Sequence, residues 1–318
     1  MQNFTRQQLP RHLYAFGTGV AAGGVVGTVG WGGAQVLIPS LTANPLSLAG
    51  YTQLTATGIS LTSLSTSVMT GGYKFWNSDH VNVPVALMVG IPAVLSARVG
   101  TLWAKKLSGD ALALIFNSCS IVLLPTHFWI QERAKKRRQQ QLIQEEDNKP
   151  PQESTTTITT KTNDPPNVVY DNTNDLLLKQ SQQQQQSDYH YEKFLHFASF
   201  GLFQGILSSV MGVGGLPLSM SYLTEMTTLD HHTVQGTAMC AVIPSILTSA
   251  VSRMHAIPLV TAGVVCGGAI LGGYGGAQLA LALDSEQLRQ LYMTSLVLFG
   301  GRSMLGAAAN LRRLLFFK

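Results

Sequence analysis

Long uncharged, apolar stretches dominate this 318-residue chain. Residues 12–73 contain no Asp, Glu, Lys or Arg, and neither do residues 195–224 or 254–283. A helix crosses the hydrocarbon core of a membrane with roughly 20 mostly apolar residues, so each stretch is long enough for at least one span. The pattern predicts an all-α, polytopic integral membrane protein. Eight spans are predicted, at residues 13–40, 48–70, 83–106, 111–129, 195–223, 232–253, 257–282 and 287–310.

A polar middle separates two apolar halves. It begins with the basic run Arg133–Arg138 and contains the glutamine tract Gln182–Gln186. Such a composition buries too little apolar surface to offset the entropy of an ordered chain. We therefore predict a first transmembrane repeat at 1–130, a disordered polar linker at 131–192 and a second transmembrane repeat at 193–318.

The glycine pattern of the first half recurs in the second. An offset of 182 residues places Gly23 on Gly205 and Gly33 on Gly215, and further along the chain the offset becomes 176 residues. These ordered matches predict two homologous four-helix repeats, an arrangement common among secondary transporters, whose site lies at the repeat interface. With four spans each, the two repeats would run parallel, about an axis along the membrane normal. If the first span of each half is a re-entrant hairpin instead, the count changes.

Charged residues make up 12% of the chain, with 21 Lys and Arg against 16 Asp and Glu. The basic residues cluster beside the apolar spans, as the positive-inside rule expects, so the net charge of +5 does not indicate nucleic-acid binding. Counting eight spans from a cytoplasmic N-terminus places Arg11 and Arg253 on the cytoplasmic side and Lys105 and Lys106 outside. Both termini are then cytoplasmic.

No catalytic constellation is visible in the sequence. It contains no G-x-S-x-G, H-E-x-x-H or Walker A sequence, and no carboxylates cluster within the predicted spans. Cys119, Cys240 and Cys266 lie singly in apolar segments without metal-ligand spacing. We expect no enzymatic activity, no metal site and no cofactor.

A glycine cluster interrupts the first span of each half. The two clusters are Gly30, Gly32 and Gly33 around Trp31, and Gly212, Gly214 and Gly215 around Val213. Consecutive glycines weaken a helix by roughly 1 kcal/mol each relative to alanine, and backbone freed at that depth must face protein or water. We therefore predict broken first helices. Each break exposes the amides and the positive dipole end of the half-helix that follows, at 34–40 and 216–222, and both features attract anions. The alternative is that the glycines only allow close helix packing.

Further small residues accompany the breaks in a repeated order. The order is Gly27-x-x-Gly30-x-Gly32-Gly33 followed by Pro39, then Gly212-x-Gly214-Gly215, with Ala56-Thr57 and Gly236-Thr237 in the spans that follow. This order resembles the sulfite exporter TauE/SafE family, and the resemblance covers both halves. It implies a multi-pass carrier for small anions, often sulfur-containing oxyanions or organosulfonates. Trp31 departs from the pattern, where a small residue is expected.

Polar side chains near the breaks are candidates for completing an anion site. The neutral ones are Gln35, Thr57, Ser60, Ser208, Gln235 and Thr237, and the charged ones within predicted spans are Arg98 and Arg302. Neutral donors suit an anion that must also leave, and an arginine inside a membrane is by default a functional candidate. The alternatives are hydrogen bonds from Ser and Thr to nearby backbone or helices, and snorkelling of the arginines to headgroups. His231 and His232, at the mouth of a span, are either a proton-coupling site or the amphipathic edge of that span.

Together these features predict a protein that moves a small anion across the lipid bilayer by alternating access between its two halves. A rival hypothesis is a non-transporting membrane scaffold that recruits partners through its linker. That hypothesis predicts an essential linker and glycine clusters that tolerate leucine. A membrane-embedded enzyme is a weaker rival, because the spans lack clustered polar side chains.

Overall fold

The computed structural model describes residues 9–42, 51–109, 111–116, 118, 191–295, 297, 298 and 301. Throughout these residues the regular structure is helical, without a strand, so the all-α prediction is confirmed. The helices are α1 (Leu9–Val29), α2 (Ala34–Thr42), α3 (Gln53–Asn77), α4 (Val83–Lys106), α5 (Tyr191–Met211), α6 (Leu216–Met226), α7 (His231–Ser252) and α8 (Leu259–Ala282), with a short 3-10 turn at Met254–Ala256. The predicted linker at 131–192 lies almost entirely outside the described residues, and so does most of the predicted span at 111–129.

Four of the described helices are long and apolar enough to cross a membrane. They are Val83–Lys106, Phe194–Met211, His231–Ser252 and Leu259–Ala282. Their lengths agree with the roughly 20 residues that a span requires.

Helix α3 lies in the middle of the bundle, in contact with α1, α2, α7 and α8, although it is rich in hydroxyl side chains. Thr62, Ser67 and Thr70 donate hydrogen bonds to the carbonyl oxygens four residues earlier, at 2.9, 3.2 and 2.9 Å. A buried hydroxyl is costly when it lacks a partner, and these local bonds remove that cost.

Small residues bring two pairs of helices into backbone contact. In the first pair α1 packs on α8, and Gly23 faces the backbone of Ala269. In the second pair α5 packs on α4, and Gly205 faces the backbone of Ala93. The offsets of 182 and 176 residues map the first contact onto the second, so the two contacts are reciprocal. Glycine and alanine at such positions allow helix backbones to approach closely.

The directions of the helices follow from which residues meet. In α3 and α7, Gly58 lies beside Arg253, and Gly71 lies beside Met239, so these two helices run antiparallel. They are the spans that the sequence offset aligns. The expectation that corresponding spans of the two halves run parallel is therefore wrong.

Contacts between helices also show at which end of the bundle the charged end of α4 lies. Helix α4 runs parallel to α7, because Asn82 meets Thr237 and Gly90 meets Ala241. The C-terminal end of α4, with Lys105 and Lys106, consequently lies at the same end of the bundle as Arg253. The expectation that these lysines lie opposite Arg253 is wrong, because the count of eight spans treats each first span as one crossing.

Each predicted first span is a hairpin rather than a single helix. Gly33 lies against Ala22, so the chain after the first glycine cluster turns back alongside α1. Gly215 lies against Gln204 and Ser208 in the same way, so the chain turns back alongside α5. The predicted breaks are present, but the single spans at 13–40 and 195–223 are wrong. A straight helix cannot bring residues eleven positions apart into contact, since each residue advances it by about 1.5 Å.

Candidate functional site

The two helix breaks have a backbone conformation that favours glycine. We call residues Gly30–Gly33 the first break and Gly212–Gly215 the second break. Positive φ angles occur at Gly30 (69°), Gly212 (74°), Gly214 (78°) and Gly215 (75°). A residue with a side chain is strained in this region, whereas glycine enters it freely. The preceding helices end on equivalent hydrogen bonds, Gly30 N to Val26 O and Gly212 N to Ser208 O, both 2.9 Å.

The two breaks meet inside the bundle. A Cβ placed on Gly32 would lie 2.6 Å from the carbonyl oxygen of Val213. Both residues are buried, and Val213 is 5% exposed. Main chain from the two halves is therefore in contact at this point, with no room for a side chain at position 32.

Helix α3 supplies hydroxyl groups to the second break. A Cβ on Gly212 would lie 2.7 Å from the Cβ of Thr57. The Ser60 hydroxyl donates to the carbonyl oxygen of Gly212 at 3.2 Å. Both hydroxyl-bearing residues are fully buried. The structure therefore brings Thr57 and Ser60 to the second break, which lies in the other half of the sequence.

Helix α7 supplies polar groups to the first break. The Gln235 amide nitrogen donates to the carbonyl oxygen of Gly27 at 2.9 Å, and its Oε1 is buried without a hydrogen-bond partner among the described residues. Trp31 is 2% exposed, and its indole nitrogen likewise has no partner in the described part of the chain. Thr237 is buried too, but its hydroxyl accepts a hydrogen bond from the backbone N–H of Asn82 at 2.9 Å. Thr237 therefore anchors the start of α4.

Arg253 is a buried cation that the sequence analysis assigned to topology alone. Its side chain is 2% exposed. Its Nη1 donates to the Thr57 hydroxyl at 2.6 Å, and its Nη2 donates to the carbonyl oxygen of Ser209. Thr57 therefore joins this guanidinium to the second break. The sequence contains one signal that Arg253 is unusual: no acidic residue occurs between Asp230 and Asp284 to pair with it.

Gln204 is a second residue that the sequence analysis missed. It is fully buried, and neither its Nε2 nor its Oε1 has a hydrogen-bond partner among the described residues. A Cβ on Gly215 would lie 2.7 Å from this Nε2, so the amide borders the second break. Ser208, one turn later, is 1% exposed and donates its hydroxyl to the Gly205 carbonyl oxygen.

The remaining predicted site residues divide between the interior and the surface. Gln35, in the first turn of α2, is buried at 5% exposure. Arg98 is exposed on α4 and does not join the side chains at the breaks, which fits the alternative of snorkelling. Arg302 lies outside the described residues.

Helix α6, which follows the second break, begins without a side-chain cap. Gly215 is the N-cap of α6 and makes no side-chain hydrogen bond to its first turn. Helix α6 is 11 residues long and α2 is 9 residues long. The first amides of a helix have no partner within the helix, and the macrodipole places partial positive charge there.

Histidines and one carboxylate gather at the start of α7, one turn before Gln235. The His232 Nε2 is 3.2 and 3.0 Å from the carbonyl oxygens of Ala280 and Leu283, and its Nδ1 lies 3.7 Å from Oδ2 of Asp230. The ring of His80 is 5.4 Å from the ring of His232, centroid to centroid.

Asp230 caps the start of α7. Its carboxylate accepts hydrogen bonds from the backbone amides of His232 and Thr233 at 3.1 and 3.3 Å. Burial raises the pKa of Asp230, but the bonds from Thr233 and the neighbouring His80 and His232 lower it by more. The pKa therefore lies below its ordinary value. Over the described ranges, no three His, Cys, Asp or Glu side chains come together as a metal site would require.

Comparison with known proteins gives one match. The family model described as Sulfite exporter TauE/SafE matches residues 15–303, a range that includes both breaks and Arg253. No curated protein and no solved structure matches the chain.

Proposed function

The chain belongs to the sulfite exporter TauE/SafE family, whose members are membrane transporters of sulfur-containing anions, and from this premise we propose that it carries a sulfite- or sulfonate-type anion by alternating access. The helices described above agree with an integral membrane protein. The proposal concerns the substrate, the site and the mechanism.

The observation that carries the proposal is the contact between the two breaks. Gly32 and Val213 bring bare main chain from both halves together in the interior. Non-helical backbone at membrane depth is tolerated where it is buried in protein or lines a polar cavity. Such discontinuous helices form the substrate sites of many secondary transporters.

The proposed site binds the anion with main-chain amides and neutral side chains. The sequence-derived members are Gly30, Gly32, Gly33, Gln35, Thr57, Ser60, Gly212, Gly214, Gly215 and Thr237. To these we add Gln204, whose buried amide has no partner among the described residues. A buried polar group without a partner is costly, and a bound anion would satisfy its N–H group. We treat Thr57, Ser60 and Thr237 as positioning residues: the hydroxyls of Thr57 and Ser60 donate to the carbonyl oxygens of Leu54 and Gly212, and the hydroxyl of Thr237 accepts from the backbone N–H of Asn82.

The reciprocal packing supports an alternating-access mechanism. The contacts of Gly23 with Ala269 and of Gly205 with Ala93 relate the two halves by an approximate two-fold operation. Because α3 and α7 are antiparallel, we propose an inverted repeat rather than the parallel one expected from the sequence. Inverted repeats provide two conformations of similar energy, one open to each side of the membrane.

The charges at the ends of the bundle support an orientation. One end carries Arg11, Lys105 and Lys106, and the other carries Asp79 and Asp230. By the positive-inside rule, we propose that the basic end and both chain termini are cytoplasmic. We propose that the segments 1–130 and 193–318 form the two repeats and that 131–192 connects them.

The histidine group at the start of α7 is the place where we propose proton coupling. His232 lies between Asp230 and His80, and histidine is the side chain that titrates nearest to neutral pH. Anion flux driven by a pH gradient in the wild type, and lost in His232→Gln, is the expected result. Equal flux with and without the gradient would exclude proton coupling but not anion transport.

Proteoliposome flux tests the proposed function. Purified protein should move radiolabelled sulfite, sulfate or methanesulfonate faster than protein-free liposomes do. A scaffold predicts no flux for any of these anions and a requirement for the segment 131–192 in partner binding. If protein with the melting profile of a folded protein moves none of these anions, the proposal that the chain is a transporter is rejected.

A further inference from the structure

We infer that Arg253 binds the transported anion directly and makes the site selective for oxyanions. The inference rests on the proposed function and names the charged group of that same site. It starts from the burial of the guanidinium beside the second break. From the sequence, Arg253 only sets the membrane topology, whereas its buried position points to a role in ligand binding.

The guanidinium is a buried charge with no carboxylate partner among the described residues. Arg253 is 2% exposed, and within the described residues its hydrogen bonds go to two neutral oxygens, those of Thr57 and Ser209. A buried cation is stable when a negative group compensates it and costly when none does. A guest anion would supply the missing negative charge.

Most of the N–H donors of this side chain have no partner within the described ranges. A guanidinium has five N–H groups. In the part of the chain that the structure describes, one N–H of Nη1 and one of Nη2 are engaged, and Nε is buried with no partner. Three N–H groups consequently remain for a ligand, and Thr57 places them next to Gly212 of the second break.

The charge is present at one of the two equivalent threonines. Thr57 and Thr237 occupy the same place in the two halves. The Thr57 hydroxyl accepts from the Arg253 guanidinium, whereas the Thr237 hydroxyl accepts from the uncharged backbone N–H of Asn82. Among the described residues, the anion site therefore has its cation on the side of the second break. We place the bound anion on that side rather than midway between the breaks.

The shape of the guanidinium sets the class of ligand. Its planar N–H groups form two parallel hydrogen bonds with an anion that presents two oxygens, as sulfite, sulfate and sulfonates do. A chloride ion offers a single centre and cannot use that geometry. A lysine ammonium carries the same charge without the planar donor pair, so it separates the effect of charge from the effect of shape.

An alternative role for Arg253 is to cap α5. Ser209 is two residues before the C-terminal end of α5, where carbonyl groups lack helical partners and a cation is favourable. Capping alone predicts a lower melting temperature for Arg253→Gln and no change in anion affinity. The two roles therefore differ in a measurable quantity, the half-saturating anion concentration.

The test uses the full chain in proteoliposomes and in detergent, with Arg253→Gln and Arg253→Lys. Arg289→Gln and Arg289→Lys are the matched controls, because Arg289 already has a carboxylate partner, Glu286, at 2.6 Å. We expect Arg253→Gln to raise the half-saturating sulfite concentration by about 10- to 100-fold. Arg253→Lys should keep part of the affinity and lose the preference for sulfite over competing chloride. The Arg289 variants should behave as the wild type.

The stabilisation of purified protein by sulfite separates the possible failures. If the wild type transports no anion, the proposed function fails; direct binding of sulfite by Arg253 is then still supported when sulfite raises the melting temperature of the wild type and not of Arg253→Gln. If sulfite affinity is equal in wild type and Arg253→Gln, the inference is overturned even when transport is observed. Should the Arg253 variants not fold, Thr57→Val removes the acceptor that positions the guanidinium. That variant should raise half-saturation by about 2- to 10-fold, and an unchanged value would overturn the inference.

Discussion

Substitution of Gly32 by alanine tests whether the contact between the two breaks is needed for transport. The φ angle of Gly32 is not among the positive ones, so alanine fits the backbone there without strain. The added Cβ would lie 2.6 Å from the carbonyl oxygen and 2.8 Å from Cγ1 of Val213, whereas ordinary contacts begin at 3.4 Å. The two breaks must therefore separate by about 0.8 Å at this point.

The expected loss follows from the cost of overpacking. Extra methyl groups in a packed interior cost about 1–3 kcal/mol. If this cost falls on the conformation that binds the anion, sulfite flux drops by about 5- to 150-fold, since each 1.4 kcal/mol is a factor of ten. Flux is measured in proteoliposomes with radiolabelled sulfite, and the melting temperature of the same preparation reports folding.

Gly24→Ala is the matched control, because it adds the same methyl group to the neighbouring helix α1, where no atom of another described element lies within 4 Å. It should transport normally and melt at or above the wild-type temperature, since alanine is the better helix former. Val213→Ala in the Gly32→Ala background removes one of the two close contacts and should restore part of the flux. Wild-type flux and melting temperature in Gly32→Ala would refute the contact between the breaks as a functional element.

Four further outcomes are expected. Gly23→Ala places a methyl group against the backbone of α8 and should lower the melting temperature by more than Gly24→Ala; equal melting would contradict the close packing. Asp230→Ala removes the cap of α7 and should cost about 1 kcal/mol, while Asp230→Asn should keep most of it. Because the folded-state pKa of Asp230 lies below its ordinary 3.8, its stabilisation is present above about pH 4 and is lost as pH falls through the folded-state pKa; acid melting curves that coincide for wild type and Asp230→Asn would contradict this. Gln235→Leu leaves the Gly27 carbonyl oxygen without its donor and should lower both melting temperature and sulfite flux, and unchanged values would exclude a role for this bond.

Hydropathy and glycine content predicted the helical class and the position of both breaks. These features are local, because an apolar run of sufficient length and a glycine cluster have nearly the same consequences wherever the chain goes. The glycines at Gly30 and Gly212 do leave the helix at the predicted positions. The pairing of Thr57 with the second break was not specified locally, and it became visible through the contact with Gly212.

Charge was a weaker guide than glycine, and Arg98 and Arg253 illustrate why. Both lie in predicted spans, and the sequence favoured a place in the site for Arg98 and a place at the membrane edge for Arg253. The structure exposes Arg98 and buries Arg253. Depth within a span does not determine which side of a helix faces the bundle, and a side chain as long as arginine reaches several residues from its own position.

The amino-acid sequence by itself therefore determined that this protein is a helical bundle with two interrupted segments, and it did so because helix formation and helix breaking depend on neighbouring residues. The tertiary structure alone decided that the chain reverses after each break, that α3 and α7 run antiparallel and that Arg253 lies beside the second break. The reversals depend on contacts eleven positions apart, such as Gly33 with Ala22, and the other two properties depend on contacts about 150 to 200 positions apart, such as Ser60 with Gly212 and Thr57 with Arg253. Composition and periodicity carry no record of either kind of contact.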